Sequence, residues 1–392
     1  MSPLKILFVL QSPFCDTLGM SRVHYDLKKA YENMGHVVDV LAFDDLYPNG
    51  QSAIDKIIGP LFTVRIFKKL KKIAKNYDVI DANFDCIPFA KERFDFKGLL
   101  VYRSHGLQPL YRTFEQQQPF KAIFDLDSKK KIKFKTRIGN IYRFLQKKPG
   151  EKELYNSIKY ADVVHCLNKD EYSFLLAQGV PAHKMVVLPN GVSDEFILKA
   201  DKNVIQTKPN ILSFVASWTL RKGITDLNEI INYIQESSPL DGLKLLGGVE
   251  VQSKVESYFQ KENLKLLDII PRYSAMELPE LLNNVKLGIF PSYIEGFGLA
   301  IVEQLACGIP VVAYNVPGPK DILSDLDSTL LIESGNKEKF SEKVVEILNM
   351  PQDAYLQLSN NCKERSKDYL VSKIASKFIM LYNERLKSLN NF

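Results

Sequence analysis

Short apolar runs recur along this chain with longer helical stretches between them, and that rhythm confines the fold more than any other feature. In the first half the runs are Lys5–Leu10, Val37–Ala42, Val79–Ala82, Leu99–Tyr102, Val163–Leu167 and Val186–Leu188. In the second half they are Ile211–Ala216, Leu243–Leu246, Leu266–Ile270, Leu287–Phe290, Val311–Ala313 and Thr329–Ile332. Short continuous apolar runs are strands buried on both faces, and strands that alternate with helices build parallel sheets. Between the two sets, the polar stretch 200–210 carries no apolar periodicity and contains Pro209, a helix breaker. With 392 residues the chain can bury two ordinary cores. The expected class is therefore α/β: two doubly wound domains in tandem, over 1–200 and 201–371. An amphipathic helix over 372–392 (Ile374, Phe378, Ile379, Tyr382, Leu386) would pack back across the domain junction. In such sheets a ligand belongs at the carboxyl ends of the strands.

Composition removes several classes. At 45% hydrophobic and 25% charged, with 20 Gly and 19 Pro, the chain is neither disordered, collagen-like nor a coiled coil. The apolar run Ile6–Leu10 follows a single Lys5 and is too short for a signal peptide. No segment approaches the ~18 uninterrupted apolar residues of a spanning helix. A cytoplasmic protein is expected. The cysteines (Cys15, Cys86, Cys166, Cys307, Cys362) are scattered and odd in number, without a C-x-x-C pair, which argues against a disulfide framework and a structural zinc site. The histidines (His24, His36, His105, His165, His183) show no H-x-x-x-H spacing, and no metal is expected.

Charge is uneven. Residues 1–200 carry a balance of +9 and residues 201–392 one of −3, within a total of +6. Two clusters dominate the basic half. Residues 65–75 place six cations around an apolar stripe of Phe67, Leu70, Ile73 and Ala74, and residues 128–150 carry nine cations and no carboxylate. A basic amphipathic helix reads as a surface for an anionic membrane, as a partner by charge. The plainer alternative is a stripe packed on the sheet with solvated lysines. Nucleic acid is disfavoured, because no recognition motif accompanies the charge.

The most informative segment is Phe290-Pro-Ser-Tyr-Ile-Glu-Gly-Phe-Gly-Leu-Ala-Ile-Val-Glu303. It reads as a buried strand, a turn with Gly296 and Gly298, and an apolar helix. Small residues at such a turn let backbone N–H groups approach an anion, which the helix dipole favours. Glu295 and Glu303, eight residues apart, lie within ~12 Å along a helix axis. Carboxylates suit vicinal hydroxyls and the helix N-terminus suits phosphate, so the segment describes a site for a sugar nucleotide. A capping Glu with an unrelated surface Glu is the alternative.

The stretch resembles the Glu-x₇-Glu signature of the family 4 retaining glycosyltransferases with GT-B architecture, and the resemblance covers nearly the whole chain. Leu18-Gly19 is similar to the family's glycine loop, Met34–Val40 to its second strand, and Ser104-His-Gly106 to the His-Gly that ends another strand. Ala161-Asp-Val-Val-His165, Leu188-Pro-Asn-Gly-Val192 and Ala306-Cys-Gly-Ile-Pro-Val-Val312 follow in the family's order.

The resemblance implies two Rossmann-like domains facing a central cleft, and a hexosyltransferase using a UDP- or GDP-sugar with no required cofactor. Glu295 would bind hydroxyls of the transferred sugar and Glu303 the ribose. The backbone of Phe297, Gly298 and Leu299 would meet sugar and phosphate, and Lys222, before Gly223, the diphosphate. His105 would lie near the reaction centre, and Gly19 would allow close approach of phosphate or acceptor. Implied acceptors are glycans, lipid-linked glycans or small molecules, in cell-surface glycan or glycolipid synthesis.

Two positions depart from the pattern: Ser217 stands where the family carries Arg, with Arg221 as a candidate replacement, and Leu18 replaces the first loop glycine. Arg272 and Tyr273 are candidates for base contacts. Asp125-Leu-Asp127 and Asp325-Leu-Asp327 have the D-x-D form of some metal-using glycosyltransferases but lie outside a matching context. Gly296-Phe-Gly298 lacks the third small residue and the later acidic residue of a dinucleotide fingerprint, which disfavours a nicotinamide dehydrogenase. An epimerase or phosphorylase, or a non-catalytic nucleotide-sugar-binding subunit, are the other readings.

Overall fold

Strands form at each of the twelve apolar runs. The computed structural model describes residues 2–16, 19–48, 61–116, 151–202, 209–248 and 250–390. By their contacts these fall into two units. The first takes in the described residues up to Pro109, those of 151–191 and the chain from Val371; the second takes in Val192–Leu370 with residues 110–116.

The first unit holds β1 (Lys5–Val9), β2 (Val37–Leu41), β3 (Val79–Asn83), β4 (Leu99–Arg103), β5 (Val163–Cys166) and β6 (Met185–Val187) in the order β2-β1-β3-β4-β5-β6. Every pair is parallel, with Ile6 opposite both Val38 and Val79. Strands β1, β3, β4 and β5 are buried almost throughout, which is why they read as continuous apolar runs.

The helix Val371–Asn390 closes one face of this sheet: Ile374, Ala375, Phe378, Ile379 and Tyr382 share a core with Ile6, Phe8, Leu27, Tyr31, Val79 and Val101. At its centre lies a buried ion pair. Arg103 Nε donates to both Asp81 oxygens at 2.9 and 3.0 Å, Tyr382 Oη donates to Asp81 Oδ2 at 2.6 Å, and the Phe378 ring lies 4.2 Å from the guanidinium. Two charges removed from water need such supplementary partners, because their attraction alone does not offset desolvation.

On the other face, helix Leu61–Ile73 buries Ile66 and Leu70 against Leu7, Val9, Ile80 and Leu100. Its Lys68, Lys69, Lys71 and Lys72 are exposed. The apolar stripe of residues 65–75 is thus committed to the core, and the free side of this helix is cationic. The second basic cluster, 128–150, lies outside the described residues, as do Leu18 and Asp125-Leu-Asp127. Among the described residues, no helix is long and apolar enough to cross a membrane.

The second unit holds β7 (Ile211–Val215), β8 (Gly242–Leu246), β9 (Leu267–Ile270), β10 (Leu287–Phe290), β11 (Val311–Tyr314) and β12 (Leu331–Ile332) in the parallel order β12-β11-β10-β7-β8-β9. Counted from β7 this is the 3-2-1-4-5-6 order of a dinucleotide-binding sheet, which reverses between β7 and β10. The stretch read as a linker begins inside helix Asp194–Asp201. Ser193 caps that helix by accepting from Phe196 N–H at 3.1 Å, and Phe196, Ile197 and Ala200 bury one side of it.

Candidate active site

The reversal between β7 and β10 leaves their carboxyl ends as neighbours, and each leads into one half of the predicted donor site. After β7 the chain passes exposed Ser217 and buried Trp218 to the single turn Leu220–Lys222, which ends at Gly223 with φ +74°. After β10 it runs through Pro291–Gly298, and Gly298, at φ +96°, starts helix Leu299–Ala306. The two segments interlock. Tyr293 N–H donates to Arg221 O at 2.9 Å, and a Cβ on Gly223 would lie 2.0 Å from Pro291 O. Glycine is thus required at 223 for both space and φ.

This brings Lys222 onto Glu295. The ammonium donates to the Glu295 carboxylate, with Lys222 Nζ 5.1 Å from the Phe290 ring centre and only 8% of Lys222 exposed. Burial pushes Lys222 below its ordinary value, against the attraction of Glu295 and with the repulsion of Arg221. For Glu295 burial works against ionisation, but Lys222, then Arg221 and the Gly296 N–H, hold it below the usual carboxylate range. Their contact with each other favours the charged form of both groups. Arg221 reaches the same loop, with its guanidinium 3.4 Å from Ile294 O. Its position supplies a second cation beside Glu295, where Ser217 offers only a hydroxyl.

Gly298 at the N-cap has no side chain to cap helix Leu299–Ala306, whose N-terminus opens at the loop with the positive end of the helix dipole. Phe297 is buried edge-on against Tyr369 at 5.6 Å, which fixes the backbone of Phe297, Gly298 and Leu299. Glu303 follows on this helix and is 4% exposed. Arg272 is exposed just beyond β9, and the Tyr273 ring lies 3.3 Å from where a Gly247 Cβ would stand. Trp218, 5% exposed, packs edge-on against Phe214 at 5.8 Å and Tyr258 at 5.6 Å.

The first unit carries the other predicted residues. Gly19 opens helix Gly19–Asn33 after β1, exposed, and a Cβ there would meet nothing within 4 Å. His105 follows β4, and its Nε2–H donates to Asn83 Oδ1 at 3.1 Å. The His24 ring is 4.9 Å away. Burial first, then the nearby His24 and Arg103, push the His105 imidazole well below its ordinary value, and it is neutral at pH 7.

The loop carrying His105 is tied down by a residue that motif reading passed over. Glu171 accepts from Ser104 Oγ at 3.0 Å and from the N–H groups of Leu107 and Leu167 at 2.8 Å each. Asn83 was missed as well. The signal for Glu171 was the pair Asn168-x-x-Glu171, in which Asn168 caps the helix by accepting from Glu171 N–H at 2.8 Å. Asn83 left none beyond its place at the end of a strand.

Among the described residues, no group of three His, Cys, Asp or Glu is placed to hold a metal ion. Asp325 pairs with Arg365 at 2.9 Å and Asp327 accepts from Thr329 N–H at 2.8 Å, so the D-x-D match at 325–327 is used within the fold.

Two family models together match most of the chain. Residues 18–196 match the model described as Glycosyltransferase Family 4, and residues 196–368 the model described as Glycosyl transferases group 1. An uncharacterized glycosyltransferase of Methanocaldococcus jannaschii is 29% identical over 202 residues, 52% of this chain and 54% of that protein. The match thus spans about half the length of that relative. The N,N'-diacetylbacillosaminyl-diphospho-undecaprenol alpha-1,3-N-acetylgalactosaminyltransferase of Campylobacter jejuni is 23% identical over 350 residues, 84% of each chain. In fold, the sucrose-phosphate synthase of Thermosynechococcus elongatus superposes with a TM-score of 0.74 at 19% identity, over 98% of this chain and 100% of that one.

Proposed function

The chain belongs to glycosyltransferase family 4, and from that premise we propose that it is a retaining hexosyltransferase that moves a sugar from a UDP- or GDP-sugar to an acceptor hydroxyl. The observation that carries this reading is the meeting of Lys222 and Glu295 at the reversal point of the second sheet, beside an uncapped helix N-terminus. In the transfer, the bond from the sugar C1 to the diphosphate oxygen breaks and the bond from the acceptor oxygen to C1 forms on the same face. The acceptor's proton goes to the departing phosphate oxygen.

The diphosphate gives Lys222 a second anion and releases Glu295 to accept hydrogen bonds from sugar hydroxyls. Lys222, Arg221 and the helix N-terminus then offset the charge that grows on the leaving group, an effect that is strong in a buried site. Glu303 binds the ribose. In the first unit, His105, neutral and fixed by Asn83, has an imidazole able to take part in hydrogen bonds with hydroxyl groups, and Gly19 leaves its backbone open. The acceptor is a glycan or lipid-linked glycan of the cell surface, a reading supported by the name of the Campylobacter relative, which specifies a diphospho-undecaprenol acceptor. The exposed lysines of helix Leu61–Ile73 support a contact with an anionic membrane by charge.

A thermal-shift panel with UDP, GDP, ADP, CMP and NAD tests this. A ligand at a hundred times its dissociation constant adds about 2.7 kcal/mol, or several degrees in a chain of this size. One nucleoside diphosphate should raise the midpoint in the wild type and not in Lys222→Ala; no shift with any diphosphate would overturn the donor site. Product analysis follows with the matching sugar nucleotide. Conversion without acceptor would assign an epimerase or phosphorylase, and binding with neither transfer nor hydrolysis a non-catalytic subunit.

A further inference from the structure

Beneath the two donor loops lies a buried carboxylate that the mechanism does not use. Asp226, 3% exposed, precedes helix Leu227–Ser237. Its Oδ2 accepts from Tyr293 Oη at 2.6 Å and from Tyr314 Oη at 2.7 Å, and its Oδ1 accepts from Thr225 Oγ1 at 3.1 Å. The two tyrosines have different addresses. Tyr314 ends β11, whereas Tyr293 stands in the loop after β10, two residues before Glu295. Tyr293 is also the residue whose N–H holds Arg221 O, and Arg221 adjoins Lys222. The loop that carries Glu295 is thus held at one residue in two directions: its backbone to the Lys222 turn and its side chain to Asp226, four residues beyond Lys222.

We propose that Asp226, acting through Tyr293, is the positioning residue that sets Glu295 against Lys222 for donor binding. This rests on the donor-site reading above. Both act by geometry, through the position they give to the loop that carries Glu295. Burial raises the Asp226 carboxyl above its ordinary value, and the hydroxyls of Tyr293 and Tyr314 oppose that. By accepting from two phenols at one oxygen, Asp226 holds both in fixed orientations. Reacting groups displaced by about 1 Å can lose a hundredfold in rate, so a hydrogen bond this close to Glu295 has leverage.

The two tyrosines provide an internal control, because each contributes one hydrogen bond to the same oxygen. Tyr293→Phe and Tyr314→Phe are compared for melting midpoint, nucleoside diphosphate affinity and steady-state transfer, with Lys222→Ala alongside. If Asp226 positions the loop, the two should lower the midpoint similarly, while Tyr293→Phe alone loses about ten- to a hundredfold in kcat/KM for the donor. Equal losses in both variants, or wild-type kinetics in Tyr293→Phe, would overturn the proposal. Should Tyr293→Phe not fold, Asp226→Asn is read against Tyr314→Phe by the same criterion. Undiminished nucleotide binding in Lys222→Ala would instead refute the donor site itself, so the two failures are distinguishable.

Discussion

Glu171 is 1% exposed and accepts a hydroxyl and two backbone N–H groups, an arrangement that suits the ionised form. Burial nevertheless pushes its carboxyl from 4.5 up to about 7, against the pull of Leu167, Ser104 and Leu107. Between those values the unfolded chain has already released the proton while the folded chain keeps it. This group therefore makes stability fall as pH rises from about 4.5 to about 7, with no further change above. In Glu171→Gln that fall should flatten; melting curves that stay parallel to the wild type from pH 4.5 to 8 would show that another group is responsible. Residues of this kind mark where sequence reading stops. Glu295 and Lys222 were legible because each sits in a local pattern with a glycine beside it. Glu171 left half a signature through its spacing from Asn168. Asp226 left none, since its tyrosine partners are 67 and 88 residues away.

The strands were legible as elements because both faces of the parallel sheets are covered, which turns them into uninterrupted apolar runs. Helix Leu61–Ile73 shows the limit of the same logic. Its amphipathic pattern is plain, but the pattern alone does not say whether the apolar stripe faces a core or a lipid. Ile66 and Leu70, each fully buried, decide for the core. Any membrane contact by this helix is thus electrostatic, worth about 1 kcal/mol per cation near an anionic surface and screened beyond ~8 Å at physiological salt. Charge reversal at Lys68, Lys69, Lys71 and Lys72 should weaken co-sedimentation with anionic vesicles at low salt and leave the melting midpoint within about 1 °C, as exposed substitutions do. Equal sedimentation of wild type and variant would exclude this face as the contact.

At the scale of the molecule, the chain leaves its first unit near residue 191 and returns to it at Val371. The returning helix contributes Ile374, Phe378, Ile379 and Tyr382 to the core, and its Tyr382 adds a hydrogen bond to Asp81 of the Arg103–Asp81 pair. Its amphipathic spacing was readable, but its destination was not, because the strands it covers lie some 300 residues earlier. Each large apolar side chain buried there is worth about 1.5–3 kcal/mol, and the total is comparable to the 5–15 kcal/mol of a whole domain. A chain ending at Leu370 should therefore lose the cooperative unfolding of the first unit; an undiminished calorimetric transition would contradict that. Trp218 makes the two units separable by light. It is the only tryptophan in the chain and is enclosed by Phe214, Tyr258 and Phe259, all in the second unit. Its emission therefore reports one half of the molecule, while far-ultraviolet ellipticity sums over both. Denaturation curves that coincide in the two signals mean that the halves melt as one cooperative body, and curves that part give the stability of each without any need to cut the chain.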